Sequence, residues 1–429
     1  MLIAAHNKEK GITESRIREA VGKFFAENDY SRKRLLLILP DNTRSGPMDI
    51  LFQAIYDCIG TKAGALDVLI ALGTHQPMAE EDICKRLGIT TEQRNGKYAS
   101  VKFFNHEWEK AETFTSIGRI SADEIGEISD GLFSEEVNVS INKLIFGYDE
   151  FFIVGPVFPH EVVGFSGGHK YLFPGIAAAE IINFFHWLGA VITNPKINGQ
   201  KLTPTRQIVE KAASFITMPH KFFAAVATEA EVFGVFIGDT MQAWEQAADL
   251  SSQVHIVYKD RAYHTVLGLA PVMYDDMWTA GKVMYKLEPV IADGGTLIIH
   301  APHIDEISYT HGEVIDRIGY HTRDYFLKQW DKFKQYPHGV IAHSTHVRGI
   351  GTFADTDGIE KPRVNVVLAT KIPKERCEKV NLGYMDPASI DISEYENKEN
   401  EGILLVHHAG EKLYRLASGQ VPQIKDLKT

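Results

Sequence analysis

Leu35-Leu36-Leu37-Ile38-Leu39-Pro40-Asp41-Asn42-Thr43-Arg44-Ser45-Gly46-Pro47 settles the fold class. Residues 35–39 are apolar at every position, as a strand buried on both faces requires. The polar stretch that follows, with its proline and glycine, is a turn. Pro47 stands where a helix starts, Leu51, Ile55, Cys58 and Ile59 fall on one helical face, and Gly60 is a stop. The pattern then recurs: an apolar run at 67–72, a turn at Gly73-Thr74-His75-Gln76-Pro77, and a helix over 79–87. A third strand over 101–105 ends near His106, and a fourth apolar run covers 151–157. Upstream, residues 14–27 place Ile17, Val21, Phe24 and Phe25 on one face of an amphipathic helix. Strands alternating with helices in this way specify an α/β fold with mostly parallel sheets. Ligands of such sheets gather beyond the carboxyl ends of the strands. The clusters at Asp41–Arg44, His75 and His160–Lys170 are therefore expected on one rim.

Beyond residue 176 the pattern gives helices over 176–188, 204–215 and 240–252, a strand pair through 226–236 and a strand at 254–258. A second α/β unit follows: a strand at 264–269, a helix opening at Asp275, then strands at 295–300, 339–343, 364–369 and 403–407. Residues 386–401 are acidic and read as a solvated loop. A chain of 429 residues exceeds one ordinary core. Two α/β domains are expected, 1–260 and 261–429, with an active-site cleft between them.

A net charge of -11 argues against nucleic acid or an anionic membrane as a partner. The sequence contains no apolar run of membrane-spanning length and no leader pattern. Its three cysteines, Cys58, Cys84 and Cys377, are scattered, which points to a reducing, cytoplasmic setting without a cysteine-built metal site.

The densest chemistry lies in His160-Glu-Val-Val-Gly-Phe-Ser-Gly-Gly-His-Lys170, between the strand at 151–157 and the helix at 176–188. It is not a phosphate loop of the P-loop kind, because His169 and Tyr171 flank the lysine where glycine and Ser/Thr belong. It is not a zinc-protease helix either, since the position four residues after His160 is Gly164. No glycine fingerprint for a dinucleotide follows the first strand. Lys170 in a Gly-Gly turn flanked by aromatics is placed for desolvation, the condition of lysines that do covalent chemistry. His75 and His160 at strand ends make an acid/base pair thinkable. Arg44 beside Asp41 is either a local ion pair or an anion clamp. His186, in an apolar helix, reads alone as a core histidine, and His343, His346, His407 and His408 as strand-end polar groups. The residues by themselves reach an α/β enzyme with a His/Lys/Arg rim acting on a small anion.

The succession Asp41-x-Thr43-Arg44, Gly73-Thr74-His75-x-Pro77, His160, Gly164-Phe-Ser-Gly-Gly-x-Lys170-x-x-x-Pro174-Gly175-Ile176 and His186 resembles the lactate racemase catalytic-subunit family. The likeness is continuous over residues 35–190 and thinner beyond, where Lys282, Gly294-Gly295-Thr296 and Gln329-Trp330 correspond. The resemblance implies a racemase or epimerase of small 2-hydroxy acids with a nickel-pincer nucleotide, covalent on Lys170, as cofactor. Protein made without the cofactor-synthesis enzymes, themselves implied partners, would then carry an unmodified lysine. His186 would be the protein's nickel ligand, and His75 and His160 the two acid/base residues. Asp41, Asn42, Thr43 and Arg44 would contact the nucleotide or the substrate carboxylate. Arg44, Thr279, Lys282 and Trp330 would contact substrate. A hydride would leave the substrate's C2 for the cofactor ring and return to the opposite face. The glycines of 164–168 would let the backbone approach a covalently held ring. Two departures favour an acid larger than lactate, such as a sugar acid: Thr279 stands where the family has Gln, and His169 where it has Arg. The alternatives are a nicotinamide-type dehydrogenase of a 2-hydroxy acid and a non-catalytic nucleotide or sugar-acid binder.

Overall fold

The computed structural model describes residues 2–354 and 356–422. The fold is mixed α/β with mostly parallel sheets. By contacts the chain divides into two compact units. The first comprises Met1–Phe158, Phe165–Ile182 and Arg206–Val254; the second comprises Pro159–Gly164, Asn183–Thr205 and His255–Thr429. This division differs from a single boundary near residue 260. Two short segments, holding His160 and His186, pack among residues that come much later in the chain.

The first unit is organised on a seven-stranded sheet. From one edge its strands are Ile3–His6, Val232–Gly238, His220–Ala227, Glu150–Pro156, Arg34–Pro40, Ala65–Ala71 and Phe103–Asn105. The last five run parallel to one another, and Val232–Gly238 is antiparallel to both its neighbours. Leu35 through Leu39 are fully buried, as a strand covered on both faces must be. The helix Glu14–Glu27 lays Ile17, Ala20, Val21 and Phe24 against this sheet. Phe24 meets Phe152 and Phe223 edge-on, with ring centroids 6.1 and 5.1 Å apart. Each such buried side chain contributes about 1.5–3 kcal/mol through the apolar surface it removes from water.

The second unit holds a five-stranded, wholly parallel sheet in the order Gly383–Tyr384, Asn365–Thr370, Ile291–Ala301, Tyr263–Leu269, Ile403–Val406. The strand read at 339–343 is instead part of the helix His338–Arg348. Its residues Val340 to Val347 are all buried. A short apolar run such as Val340-Ile341-Ala342 reads the same in a buried helix as in a buried strand, which is why periodicity misassigned it. The helix read at 176–188 begins at Ala179 and runs to Ile192, and the glycine turn itself holds a short 3-10 segment, Gly168–Tyr171. Among the described residues no helix is long and apolar enough to cross a membrane.

Candidate active site

In the first unit, Arg34–Pro40 and Ala65–Ala71 are adjacent parallel strands, with Pro40 paired to Ala71. Whatever follows each strand must therefore emerge side by side. Asp41 comes directly after one, and Leu72-Gly73-Thr74-His75 after the other. Asp41 Oδ2 lies 2.5 Å from His75 Nδ1. A carboxylate only accepts, so His75 carries its proton on Nδ1 and presents Nε2 as a base. The other carboxylate oxygen, Oδ1, takes the Thr43 hydroxyl at 2.6 Å and the Thr43 N–H at 3.1 Å. Thr43 Oγ1 in turn accepts from Arg44 at 2.7 Å. Burial opposes charge on Asp41, but the His75 ring, Arg44 and the Thr43 bond outweigh it and hold the carboxyl well below its usual range. Asp41, read from sequence as a cofactor contact, is thus engaged with His75 and Thr43. Asn42 is exposed.

The Lys170 turn is tied to the same sheet end. Gly73 N–H donates to Gly175 O at 2.9 Å, joining the His75 turn to the end of the Lys170 turn. Ser166 N–H donates to Phe158 O at 2.8 Å, and Phe158 N–H to Ser166 Oγ at 3.0 Å. Trp244 donates its indole N–H to Ser166 O at 2.9 Å, and Arg206 donates to Gly167 O at 3.1 Å. The glycines serve this packing. A Cβ on Gly167 would lie 2.5 Å from Val157 Cγ2, and one on Gly168 would lie 2.9 Å from Arg206 Nη2 and 3.3 Å from the Trp244 ring. At these two glycines the room a side chain would take is filled by the protein's own atoms. From Val162 to Ala177 every residue is buried except Lys170. Replacing Trp244 with Phe leaves the Ser166 carbonyl unpaired, and the denaturation midpoint should fall by an amount worth about 1–3 kcal/mol. An unchanged midpoint would refute this bracing role.

His160 belongs to the second unit and is buried. Its Nδ1 accepts from Val162 N–H at 3.1 Å. That nitrogen must offer a lone pair, so the neutral ring carries its proton on Nε2, the reverse of His75. Glu161 Oε2, 3.5 Å from the same nitrogen, is too far for a hydrogen bond but adds a negative charge beside the ring. The backbone here is held from both sides: Lys286 donates to Pro159 O, and Thr205 Oγ1 donates to Val162 O at 2.5 Å.

His186 also lies in the second unit, partly exposed on a mostly buried helix and stacked on Phe185 at 4.5 Å. The next residue, Trp187, stacks on Trp330 with rings 4° from parallel, which brings Trp330 beside the His186 helix. Thr279 and Lys282 sit on consecutive short helices, Met277–Ala280 and Lys282–Leu287. Thr279 N–H is capped by Asp276 at 2.9 Å, and the Lys282 ammonium lies 4.8 Å from the Tyr274 ring centre. Sequence reasoning missed what lies alongside them. Trp278 stacks on His343 at 3.8 Å and packs on His311 at 4.5 Å. His343 Nδ1 is 2.6 Å from the Tyr285 hydroxyl. His343 is no strand-end group: burial chiefly, with His346 and His311 adding, pushes it well below the ordinary imidazole range. A neutral, fully enclosed ring of this kind is part of the scaffold.

The residues from Asp41 to His186 lie within a match to a known domain family. Residues 3–199 match the lactate racemase N-terminal domain. The lactate racemase of Thermoanaerobacterium thermosaccharolyticum is 24% identical over 308 residues, 69% of this chain and 66% of that protein. That of Lactiplantibacillus plantarum is 24% identical over 306 residues, 69% of this chain and 67% of that protein. The match thus spans about two thirds of each curated relative. Among solved structures, a Thermotoga maritima protein is 33% identical, covering 96% of this chain and 100% of its own, with a TM-score of 0.88. The lactate racemase apoprotein from Thermoanaerobacterium thermosaccharolyticum superposes with a TM-score of 0.68 at 18% identity over 93% of each chain, a likeness of fold. Domain match and relatives agree with the order of motifs from Asp41 to His186, and residues 3–199 belong to the lactate racemase N-terminal domain family.

Proposed function

We propose that this chain is a racemase or epimerase that inverts C2 of a 2-hydroxy acid, with His75 and His160 as its two acid/base residues. The observation that carries this reading is the opposite presetting of the two rings. His75 offers a bare Nε2 backed by the Asp41 carboxylate, whereas His160 offers an Nε2–H backed by a backbone donor. Inversion at one carbon needs a proton acceptor for one face and a donor for the other. His75 would take the hydroxyl proton while Asp41 stabilises the imidazolium that forms; His160 would return a proton to the opposite hydroxyl. Arg44 and Lys282 would hold the carboxylate, and Trp330 would border the substrate. Thr279, shorter than Gln, leaves room for an acid larger than lactate.

The cofactor implied is a nickel-pincer nucleotide, which when bound supplies the hydride acceptor and the metal. The donor chemistry suits it. Lys170 is the one partly exposed residue between Val162 and Ala177, and His186 is likewise partly exposed. Neither has a cysteine nearby in sequence, so the chain offers a tether and one nitrogen ligand to a group that brings its remaining ligands with it.

The test uses protein produced together with the cofactor-synthesis enzymes. Intact mass should show an adduct that maps to Lys170. A panel of 2-hydroxy acids deuterated at C2 should include one that is inverted with its label retained, since a hydride returns to the same carbon. Label loss to solvent would replace hydride transfer with proton abstraction. No adduct and no inversion would sink the proposal.

A further inference from the structure

We propose that His169 is a cationic buckle: an imidazolium whose two N–H groups fasten the Lys170 turn to Glu210 and His220, so that the placement of Lys170 depends on pH. The consequence for Lys170 rests on the reading of that residue given above; the charge state does not.

The argument is one of donors and acceptors. His220 Nδ1 lies 2.9 Å from Met218 O. A carbonyl only accepts, so this nitrogen carries a proton. His169 Nε2 lies 3.0 Å from His220 Nε2, and one of the two must donate to the other. On its far side His169 Nδ1 faces a Glu210 oxygen at close range. Burial opposes charge on Glu210, but Arg206 and His169 outweigh it and keep the carboxylate ionised below its ordinary range. Arg206 Nε stands 2.9 Å from the second Glu210 oxygen. An ionised carboxylate cannot donate, so His169 Nδ1 does. The two rings therefore share three protons where two neutral rings hold two, and one ring is a cation.

The extra proton belongs on His169. Glu210 lies against His169, whereas His220 has only a carbonyl and the other ring as partners. Burial chiefly, with His169 and Lys221 adding against Met218 and Asp239, pushes His220 below the ordinary imidazole range. The groups around the buckle are thus Glu210 and Arg206 from the helix Pro204–Ala213, His220 and Lys221 from the strand His220–Ala227, and Asp239, with Lys170 next in the chain.

Position gives the buckle its leverage. His169 and Lys170 are consecutive in the turn Gly168–Tyr171. Ser166 O and Gly167 O are already held by Trp244 and Arg206. Downstream of these two carbonyls, the His169 side chain fastens the turn together with the Tyr171 hydroxyl, which donates to Pro156 O at 3.4 Å. When the pair loses that proton, one of three bonds must go, to Glu210, between the rings, or from His220 to Met218, because two neutral rings hold two donors.

Two measurements test this without turnover. Histidine-selective nitrogen NMR, assigned with His169→Gln, should find both His169 nitrogens protonated at neutral pH and His220 neutral with its proton on Nδ1. A neutral His169 would overturn the proposal. In parallel, Lys170 acylation by acetic anhydride, scored by peptide mass against surface lysines, should change about tenfold across the His169 titration as one charge-assisted bond is lost. His169→Arg, a cation at every pH, should remove that break. A break that persists in His169→Arg, or no break in the natural protein, would also overturn it. Absence of racemase activity would leave both readouts intact, so the two proposals fail separately.

Discussion

Replacing Asp41 with Asn lowers turnover about 10²- to 10⁴-fold, with little change in KM. The reason is the direction of one proton. Asp41 accepts from His75 Nδ1, which leaves Nε2 bare. An amide can donate as readily as it accepts, so the ring is free to adopt the other tautomer, with its proton on the nitrogen that must act as base. The amide also withdraws the negative charge that stabilises His75 once protonated. Steady-state rates in both directions should fall together, because in the proposed mechanism each inversion uses both histidines and the equilibrium constant is fixed. A variant with wild-type turnover would remove Asp41 from the mechanism. The same contact affects stability. Asp41 titrates lower in the folded chain than in the unfolded one. Its contribution is therefore present above the ordinary carboxylate range and is lost as the pH falls toward its folded value.

Gly164→Ala should destabilise the protein by roughly 2–5 kcal/mol, the sum of left-handed strain and a backbone collision. Gly164 has φ +83°, and a Cβ there would lie 1.8 Å from Gln200 O and 2.9 Å from Gln200 C. Both are main-chain atoms, and Gly164 O already accepts from Gly199 N–H at 2.9 Å. The two strands of chain cannot separate without breaking that bond. Gly131 is the control: its φ is +79° with nothing within 4 Å of the added carbon, so Gly131→Ala should show only the strain, about 1–2 kcal/mol. Equal denaturation shifts for the two variants would refute the collision.

The central strands were legible because a doubly covered strand has no polar positions, and 35–39, 67–72 and 151–157 have almost none. The edge strand Ile3–His6 was not, since four residues with alternating exposure carry little signal. Residues 386–401 are largely exposed, as their charge implies, with brief 3-10 turns at Pro387–Ser389 and Ile392–Tyr395. The motif residues could be found by spacing, but their partners could not. The Asp41–His75 contact joins two turns that meet only because their strands are neighbours, and strand order is not written locally. The tautomer of His160 depends on a backbone N–H two residues on, and the charge of His169 on Glu210 and His220 more than forty residues away. Nor could the glycines' neighbours be read: the atoms that an added Cβ would meet at Gly164, Gly167 and Gly168 come from Gln200, Val157, Arg206 and Trp244.

The passage of the chain between its two units also sets an order of assembly. A chain made from its N-terminus folds what is complete first. Everything that surrounds Lys170 and His75 in the first unit has been synthesised by Val254. His160 and His186 must wait. The Pro159 carbonyl beside His160 is held by Lys286, and the helix of His186 leans on Trp330 through Trp187. The Lys170 turn is thus complete while the segments around His160 and His186 still lack the residues they pack among, so the proposed tether takes shape before the proposed second base.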